Sequence, residues 1–370
     1  MAEAHAAGFG RPRRRPPLEV SRRLVGYILC AALTAVTLAL RYSGARHTVV
    51  FIVSGVAMVA LAWLIGVATE ELGASLGPRV GGVLNATFGN AAELIITFFA
   101  LRAGLIDVVK ASITGSLLGN LLLVLGASLL AGGLRHGTQT FSRTIAGVNS
   151  TMLFIAVIAL LVPAVFGQSL GDEHGVAVRH LSDAVAVVLV VIYALSLVFF
   201  FGHPQEGAGA ADGEEHATWG PAHAAVVLLG TAAFVAWVSE ILVHALEPTI
   251  HDWGISEIFA GVILIPLVGN IAEHLVGVQL ALRNKMDFSI VVSLGSSLQV
   301  ALFVAPMLVF LSHIVGQPMD LVFTRLEIAT VALTVILVTF IALDGESNWF
   351  EGAQLLAVYV ILGFAFFFFP

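Results

Sequence analysis

Runs of apolar residues long enough to cross a lipid bilayer follow one another along almost the whole chain. A helix that crosses about 30 Å of hydrocarbon needs about 20 mostly apolar residues. Eleven such runs are present, near residues 24–40, 48–69, 79–101, 109–131, 144–166, 178–201, 222–246, 257–282, 288–312, 322–343 and 350–369. Only 11 % of residues are charged, against about 25 % in soluble domains. The sequence therefore predicts an all-α integral membrane protein with eleven transmembrane helices.

The distribution of Lys and Arg predicts the orientation of these helices. With the N-terminus placed inside, eleven of the 17 basic residues lie inside and six outside, in line with the positive-inside rule. Most of this excess comes from the N-terminal tail. A cleaved signal is the weaker interpretation of that tail, because the following apolar run is long enough to span and further spans follow. We expect a protein of the cell (inner) membrane with a cytoplasmic N-terminus, and the net charge of −7 gives no reason to expect nucleic acid.

The second half of the chain repeats the first. Shifting FGNAAELIITFF, which begins at residue 88, by 180 positions places it on VGNIAEHLVGVQ. Spans two to six then pair with spans seven to eleven. Because five is odd, the second copy must enter the membrane from the opposite side. Inverted-topology repeats of this kind are typical of secondary transporters, which bind substrate near the midplane at the repeat interface.

This pairing predicts the organisation of the chain, with one helix left outside the repeats. The predicted segments are a basic tail (1–23), an extra first helix (24–47), repeat 1 (48–201), an acidic, flexible linker (202–221) and repeat 2 (222–370).

Scarce polar residues recur at matching places in the two apolar copies. Asn and Glu stand three residues apart after a glycine, so each pair shares one helix face, and the next span of each copy adds hydroxyl and amide groups. The candidate metal ligands are Glu93, Glu273, Asn90, Asn270, Ser116, Asn120, Ser296 and Gln299. Their hard oxygen atoms favour Ca²⁺, Mg²⁺, Mn²⁺ or Na⁺ over Zn²⁺, and flexible carboxylate and amide ligands suit Ca²⁺ best.

Glu93 and Glu273 are acids in spans where a charged side chain carries a large free-energy penalty. An ionised acid at a helix centre costs about 2.5–3.5 kcal/mol on the insertion scale. Either protonation or a bound divalent cation removes this cost. If two protons or one Ca²⁺ neutralise the pair, exchange follows from mutual exclusion.

Three further residues are weaker candidates for a proton pathway or for gating. His274 follows Glu273 and has no counterpart in the first copy, and imidazole titrates in the useful range. Glu70 and Glu240 align with each other in the spans that precede the two motifs. A histidine hydrogen-bonded between helices, or acids at helix ends, are the structural alternatives.

At these residues the sequence resembles the cation/proton exchanger family of the Ca²⁺/cation antiporter superfamily, most closely the microbial Ca²⁺/H⁺ antiporters. The likeness is carried by GNAAE and GSLLGNLLLVLG in the first half and by GNIAEH and GSSLQVALFVAP in the second. It implies a Ca²⁺/H⁺ antiporter with an extra first helix, two inverted five-helix repeats and a midplane Ca²⁺ site centred on Glu93 and Glu273. Ca²⁺ is then the transported substrate and H⁺ the coupling ion, with no cofactor.

Other functions stay open at this point. Within transport, the alternatives are a Na⁺- or K⁺-coupled cation/Ca²⁺ exchanger and a proton antiporter for Mn²⁺ or Na⁺. A channel would conduct without obligatory proton counterflow. We do not expect an enzyme, because HExxH and GxSxG motifs are absent. A homo-oligomer built on the first helix is compatible with the sequence.

Overall fold

The computed structural model describes residues 17–170, 175–202 and 218–368. Nearly all of these residues are helical. Repeat 1 and the helix before it contain α1 Pro17–Tyr42, α2 His47–Leu76, α3 Pro78–Phe88, α4 Ala91–Arg102, α5 Ile106–Leu118, α6 Leu125–His136, α7 Arg143–Leu170 and α8 Gly175–Gly202. Repeat 2 contains α9 Pro221–Trp253, α10 Glu257–Phe259, α11 Ile265–Leu282, α12 Met286–Gln299, α13 Ala305–Val315, α14 Arg325–Ala342 and α15 Trp349–Phe368.

In the part of the chain that the structure describes, three stretches between consecutive helices are wound more loosely, as π-helix. We name them the first, second and third π segments, and they are Gly119–Val124, Ala260–Leu264 and Val300–Val304. The first joins α5 to α6, the second joins α10 to α11, and the third joins α12 to α13. Because π-helical turns inside α-helices concentrate at functional sites, these three stretches direct attention to the surrounding residues.

The described helices confirm the all-α membrane architecture. When helices that continue through a break or a π segment are counted as one span, ten spans are long and apolar enough to cross a bilayer. A bent helix pair, Glu257–Ile271 with Glu273–Leu282, brings the number to eleven. Several helices extend beyond the predicted apolar runs. Helix α9, for example, continues to Trp253 where the sequence predicted an end near residue 246, because its polar last turns need no hydrocarbon around them.

The two repeats match in secondary structure as well as in sequence. Helices α5 and α12 begin at Ile106 and Met286, and helices α6 and α13 begin at Leu125 and Ala305. Each pair is separated by the 180 positions found in the sequence. The first and third π segments therefore occupy equivalent places, directly after the polar residues of spans four and nine.

Large apolar side chains cover the outside of the helix bundle. Val226, Val198 and Phe340 are 69 %, 68 % and 67 % exposed. Residues of this kind are normally inside a soluble protein, whereas a lipid environment accepts them at no cost. Inside the bundle, α2 packs along α9 and α6 along α15.

Local sequence signals explain where several helices begin and end. Helix α14 starts with a capping box, in which the Thr324 hydroxyl accepts from the Glu327 N–H and the Glu327 carboxylate accepts from the Thr324 N–H at 2.8 Å. Helices α9 and α13 are followed by the C-caps Gly254 and Gly316, both in the left-handed conformation that glycine adopts without strain. Two short strands, β1 Gln139–Thr140 and β2 Glu346–Ser347, pair antiparallel and join two loops of the two repeats.

The predicted tail and linker lie mostly outside the described residues. Helix α1 begins at Pro17, so residues 17–23 of the predicted tail are helical, while residues 1–16 are outside the described part. Of the predicted linker, residues 203–217 are outside it. Its last residues are described and are held by Glu71, whose carboxylate accepts from the Thr218 N–H at 2.7 Å and the Trp219 N–H at 3.1 Å.

Candidate cation site

The first GN motif breaks a membrane helix. Helix α3 ends at Phe88 and α4 starts at Ala91, and Asn90 between them leaves the helical conformation with φ −101° and ψ 25°. We call Gly89–Asn90 the first break. The break places Glu93 in the first turn of α4, where the positive end of the helix dipole favours a negative charge. A broken helix also releases backbone carbonyls, which a membrane tolerates only where the break is buried in protein or lines a cavity.

The second GN motif bends its helix rather than breaking it. The helix axis turns by 64° between Ile271 and Glu273. One turn earlier the second π segment precedes Pro266, which has no N–H to continue the hydrogen-bond ladder. Both motifs therefore lie at irregular points of a membrane span.

Four of the predicted polar residues form one hydrogen-bonded network between the repeats. Asn90 donates through Nδ2 to Gln299 Oε1 at 2.6 Å, and Asn120 donates through Nδ2 to Ser296 Oγ at 2.9 Å. The Ser296 hydroxyl donates to Asn90 Oδ1 at 3.2 Å. The bonded residues are between 176 and 209 positions apart in the chain. Each bond joins one repeat to the other.

Glu93 lies at the contact between the two motifs. Its side chain is 4 % exposed, and the Ser116 hydroxyl is 3.5 Å from its Oε1. A Cβ built on Gly269, the glycine of the second motif, would be only 2.8 Å from Glu93 Cγ. Glu93 therefore fits because position 269 has no side chain. Glu273 follows Gly269 by four residues, about one helical turn, in α11.

Four buried polar atoms of the second motif have no hydrogen-bond partner among the described residues. These atoms are Nδ2 and Oδ1 of Asn270, Oε2 of Glu273 and Nε2 of His274. Buried polar atoms are nearly always paired, and each unpaired one costs about 1–3 kcal/mol. Four such atoms on five consecutive residues indicate a place where a ligand supplies the missing interactions.

The two motifs differ because their partners differ. Asn90 bonds Gln299, but the residue that aligns with Gln299 in the first repeat is Gly119, which has no side chain to offer Asn270. His274 faces this glycine, since its Nε2 lies 4.0 Å from a Cβ built there. The unpaired half of the site is therefore the half that contains the histidine.

Comparison with known proteins agrees with this architecture. The family model described as sodium/calcium exchanger protein matches residues 46–202 and 223–368. The chain belongs to the sodium/calcium exchanger protein family. A protein of Aphanothece halophytica named Ca²⁺/H⁺ antiporter is 44 % identical over 340 residues, which cover 87 % of this chain and 90 % of that protein. Another of the same name, from Synechocystis, is 41 % identical over 362 residues, 93 % of this chain and 97 % of that protein.

A solved structure of native YfkE has the same fold as this exchanger. The two chains share 40 % identity and superpose with a TM-score of 0.81, covering 93 % of this chain and 99 % of the other. The resemblance to cation exchangers inferred from the GN motifs is therefore confirmed at the level of the family and the fold. Proteins of this family are transporters rather than enzymes.

The remaining predicted residues lie apart from the network. Glu70 is exposed near the end of α2, and Glu240 is half-buried in α9. Of the two adjacent acids in α2, Glu71 is the buried one. It is 6 % exposed and its carboxylate binds the end of the linker. Sequence symmetry directed attention to Glu70 because it aligns with Glu240, but burial distinguishes its neighbour.

The sequence did not reveal the close helix contacts that assemble the site. Gly115, one residue before Ser116, packs directly against the backbone of Val262 in the second π segment. Tyr193 in α8 donates to the Ala86 carbonyl beside the first break. A glycine and a tyrosine in apolar runs give no signal of these contacts, since both depend on which helices become neighbours.

The described residues offer carboxylate, amide and hydroxyl oxygens rather than a cluster of strong metal ligands. Among them, no group of three or more His, Cys, Asp or Glu side chains is placed to hold a metal ion. A site with two carboxylates and several neutral oxygens suits a hard cation that is bound and released, and it does not suit a permanently held Zn²⁺ or Cu⁺.

Proposed function

We propose that this exchanger is a Ca²⁺/H⁺ antiporter that binds Ca²⁺ near the membrane midplane, between the two GN motifs. The observation that carries the proposal is the meeting of Glu93 with the second motif at Gly269, beside the unpaired atoms of Asn270 and Glu273. Two acids from opposed repeats then form one site. The relatives at 44 % and 41 % identity, both named Ca²⁺/H⁺ antiporter, support the choice of Ca²⁺ and H⁺.

Glu93 and Glu273 supply the charge that a divalent cation needs. The side-chain oxygens of Asn90 and Asn270 extend the set of ligands, and the network of Ser116, Asn120, Ser296 and Gln299 supports it. Ca²⁺ accepts six to eight oxygen ligands in flexible geometry, whereas Mg²⁺ demands a tighter octahedron and gives up water reluctantly. The mixed ligands of this site therefore favour Ca²⁺.

Exchange follows from competition for the same oxygen atoms. Two bare carboxylates repel each other in the low dielectric of the membrane, so the site needs either a divalent cation or protons. Ca²⁺ binding displaces the protons, and protonation releases Ca²⁺. Alternating access by movement of one repeat unit against the other exposes the site to each side in turn.

Three residues are proposed for proton movement and gating. His274 adjoins Glu273 and faces the open position at Gly119, so it can pass a proton to or from that carboxylate. Glu70 and Glu240 lie on α2 and α9, two helices that pack along each other and change neighbours if the repeats move. Both acids are therefore proposed to act in access to the site.

The distribution of basic residues supports a cytoplasmic N-terminus in the cell (inner) membrane. Helix α1 exposes apolar side chains such as Val25 and Ile28, 61 % and 59 % exposed. Lipid covers these side chains in a monomer, and a second copy of the chain covers them in a homo-oligomer. Cross-linking in native membranes distinguishes the two arrangements.

The decisive test is uptake of radioactive Ca²⁺ into proteoliposomes driven by an imposed pH gradient. Glu93→Gln and Glu273→Gln keep the shape of the side chain but can neither release a proton nor neutralise Ca²⁺, so both variants are expected to abolish uptake. Glu346→Gln changes an exposed acid of strand β2; it is the matched control and is expected to transport like the parent. Uptake near the parental rate in either site variant would refute the assignment.

The same vesicles test the rival function, a Na⁺-coupled exchanger, which the family description includes. A Na⁺ gradient without a pH gradient is expected to drive no Ca²⁺ uptake. Ca²⁺ uptake driven by a Na⁺ gradient alone would show that Na⁺ rather than H⁺ is the coupling ion. The proposed Ca²⁺ ligands would stay the same.

A further inference from the structure

Tyr193 is a buried tyrosine in α8, a helix that contributes none of the proposed ligands. Its side chain is 8 % exposed. The hydroxyl donates to the Ala86 carbonyl at 2.9 Å, and the ring stacks on Phe303 with centroids 5.5 Å apart and planes at 28°. The two contacts reach two different helices, one from each repeat.

The first contact compensates for the first break. In a continuous helix the Ala86 carbonyl would accept from the N–H of Asn90, four residues later. Here Gly89 N–H still bonds the Asn85 carbonyl at 2.8 Å, but the next carbonyl, that of Ala86, accepts from the Tyr193 hydroxyl. No water is available in a membrane interior to satisfy such a group. The hydroxyl therefore takes the place of the lost helical donor.

The second contact lies beside the partner of Asn90. Phe303 belongs to the third π segment, which follows Gln299 directly, and Gln299 accepts the 2.6 Å hydrogen bond from Asn90. Tyr193 thus contacts the backbone just before Asn90 and the ring just after Gln299. It spans the junction at which the two repeats exchange hydrogen bonds.

We infer that Tyr193 is a positioning residue for the cation site, holding the first break open and keeping Asn90 in register with Gln299. The inference rests on the proposed function, because it assigns the residue a role in binding the transported Ca²⁺. Without the hydroxyl, the Ala86 carbonyl is left with the donor that a continuous helix would supply, the Asn90 N–H. Taking up that bond rewinds the break and turns the Asn90 side chain away from the site.

The test compares Tyr193→Phe with the parent in proton-driven Ca²⁺ uptake over a range of Ca²⁺ concentrations. The loss of one buried hydrogen bond is expected to raise the half-saturating Ca²⁺ concentration about fivefold to tenfold, with the maximal rate within about twofold of the parent. A merely structural role would lower the amount of folded protein and the maximal rate but would leave half-saturation unchanged.

Two further variants separate the two contacts and control for the substitution. Tyr359→Phe removes the hydroxyl of another partly buried tyrosine, in α15, and is expected to leave half-saturation unchanged. Phe303→Leu removes the stacked ring but keeps the hydroxyl bond, so it is expected to raise half-saturation by a smaller factor. If Tyr193→Phe does not fold, Phe303→Leu decides the question.

An unchanged half-saturation in folded Tyr193→Phe, or in Phe303→Leu when that variant decides, would overturn the inference and leave the proposed function intact. A rise of the same size in Tyr359→Phe would overturn it as well. A parent protein that takes up no Ca²⁺ in these vesicles would instead refute the proposed function, and this inference with it.

Discussion

Gly115 and Gly295 occupy equivalent positions in the two repeats but have opposite surroundings. A Cβ built on Gly115 would lie 2.6 Å from the Cα of Val262 and closer still to its carbonyl oxygen. Carbon atoms in ordinary contact are about 3.5–4.0 Å apart, so the backbones would have to separate by about 1 Å. A Cβ built on Gly295 meets no heavy atom within 4 Å. An alanine side chain would therefore clash at position 115 and would meet no neighbour at position 295.

The stability consequence can be calculated from these contacts. Overpacking against a backbone costs about 1–3 kcal/mol and occasionally more, so Gly115→Ala is expected to destabilise the protein by that amount. Gly295→Ala gains helix propensity of up to about 1 kcal/mol and loses no packing. Thermal unfolding of the two purified variants in detergent measures the difference. Equal unfolding temperatures for the two variants would refute the packing argument.

The transport consequence follows from the symmetry of the repeats. If alternating access exchanges the packing of the two copies, α12 must approach the span that contains Gly82, the residue equivalent to Val262, as α5 now approaches Val262. Gly295→Ala would then hinder only the other state. We expect this variant to be as stable as the parent but to turn over at least about fivefold more slowly. Uptake at the parental rate would contradict this exchange of packing.

Three other outcomes are expected. Gly269→Ala places a Cβ 2.8 Å from Glu93 Cγ. We expect it to raise the half-saturating Ca²⁺ concentration in uptake assays by about tenfold. Unchanged half-saturation would show that the close approach is unimportant. Glu71→Ala removes the acceptor for Thr218 and Trp219 and should lower the free energy of unfolding by about 1–3 kcal/mol without changing half-saturation, as thermal unfolding and uptake together would report. The Ca²⁺ affinity of the detergent-purified protein, measured by calorimetry, should fall by up to about a hundredfold per unit decrease in pH where two protons compete for the site. An affinity independent of pH would show that protons and Ca²⁺ do not compete for the same carboxylates.

The fold was largely predictable from the sequence. Apolar length marks a membrane span because the bilayer has a fixed thickness, and polar residues that recur 180 positions apart in an apolar chain mark a repeat. Glu93, Asn90 and Ser296 were identified from that recurrence, and Gln299 from its place on the same helix face as Ser296. The structure joins Asn90, Ser296 and Gln299 by hydrogen bonds. The ends of the helices were less predictable, because helices such as α9 continue past the hydrocarbon.

The asymmetry inside the site was not predictable. The alignment treats Asn90 and Asn270 as equivalents, but only Asn90 finds a partner, since Gln299 in one repeat corresponds to Gly119 in the other. Likewise the alignment of Glu70 with Glu240 conceals the burial of Glu71. Such differences depend on which side chain of the opposite repeat is within reach.

The sequence by itself predicted an all-α membrane protein of eleven spans, two inverted copies within it, and an acid beside an amide in each copy. These features follow from local chemistry, since hydrophobic length, helical spacing and the scarcity of polar residues need no knowledge of neighbours. Only the tertiary structure decided that Glu93 lies against Gly269, that Gly115 is closed and Gly295 open, and that Tyr193 completes the first break. Each of these is a contact between distant segments, and it exists because helix packing brings their backbones within a few ångströms.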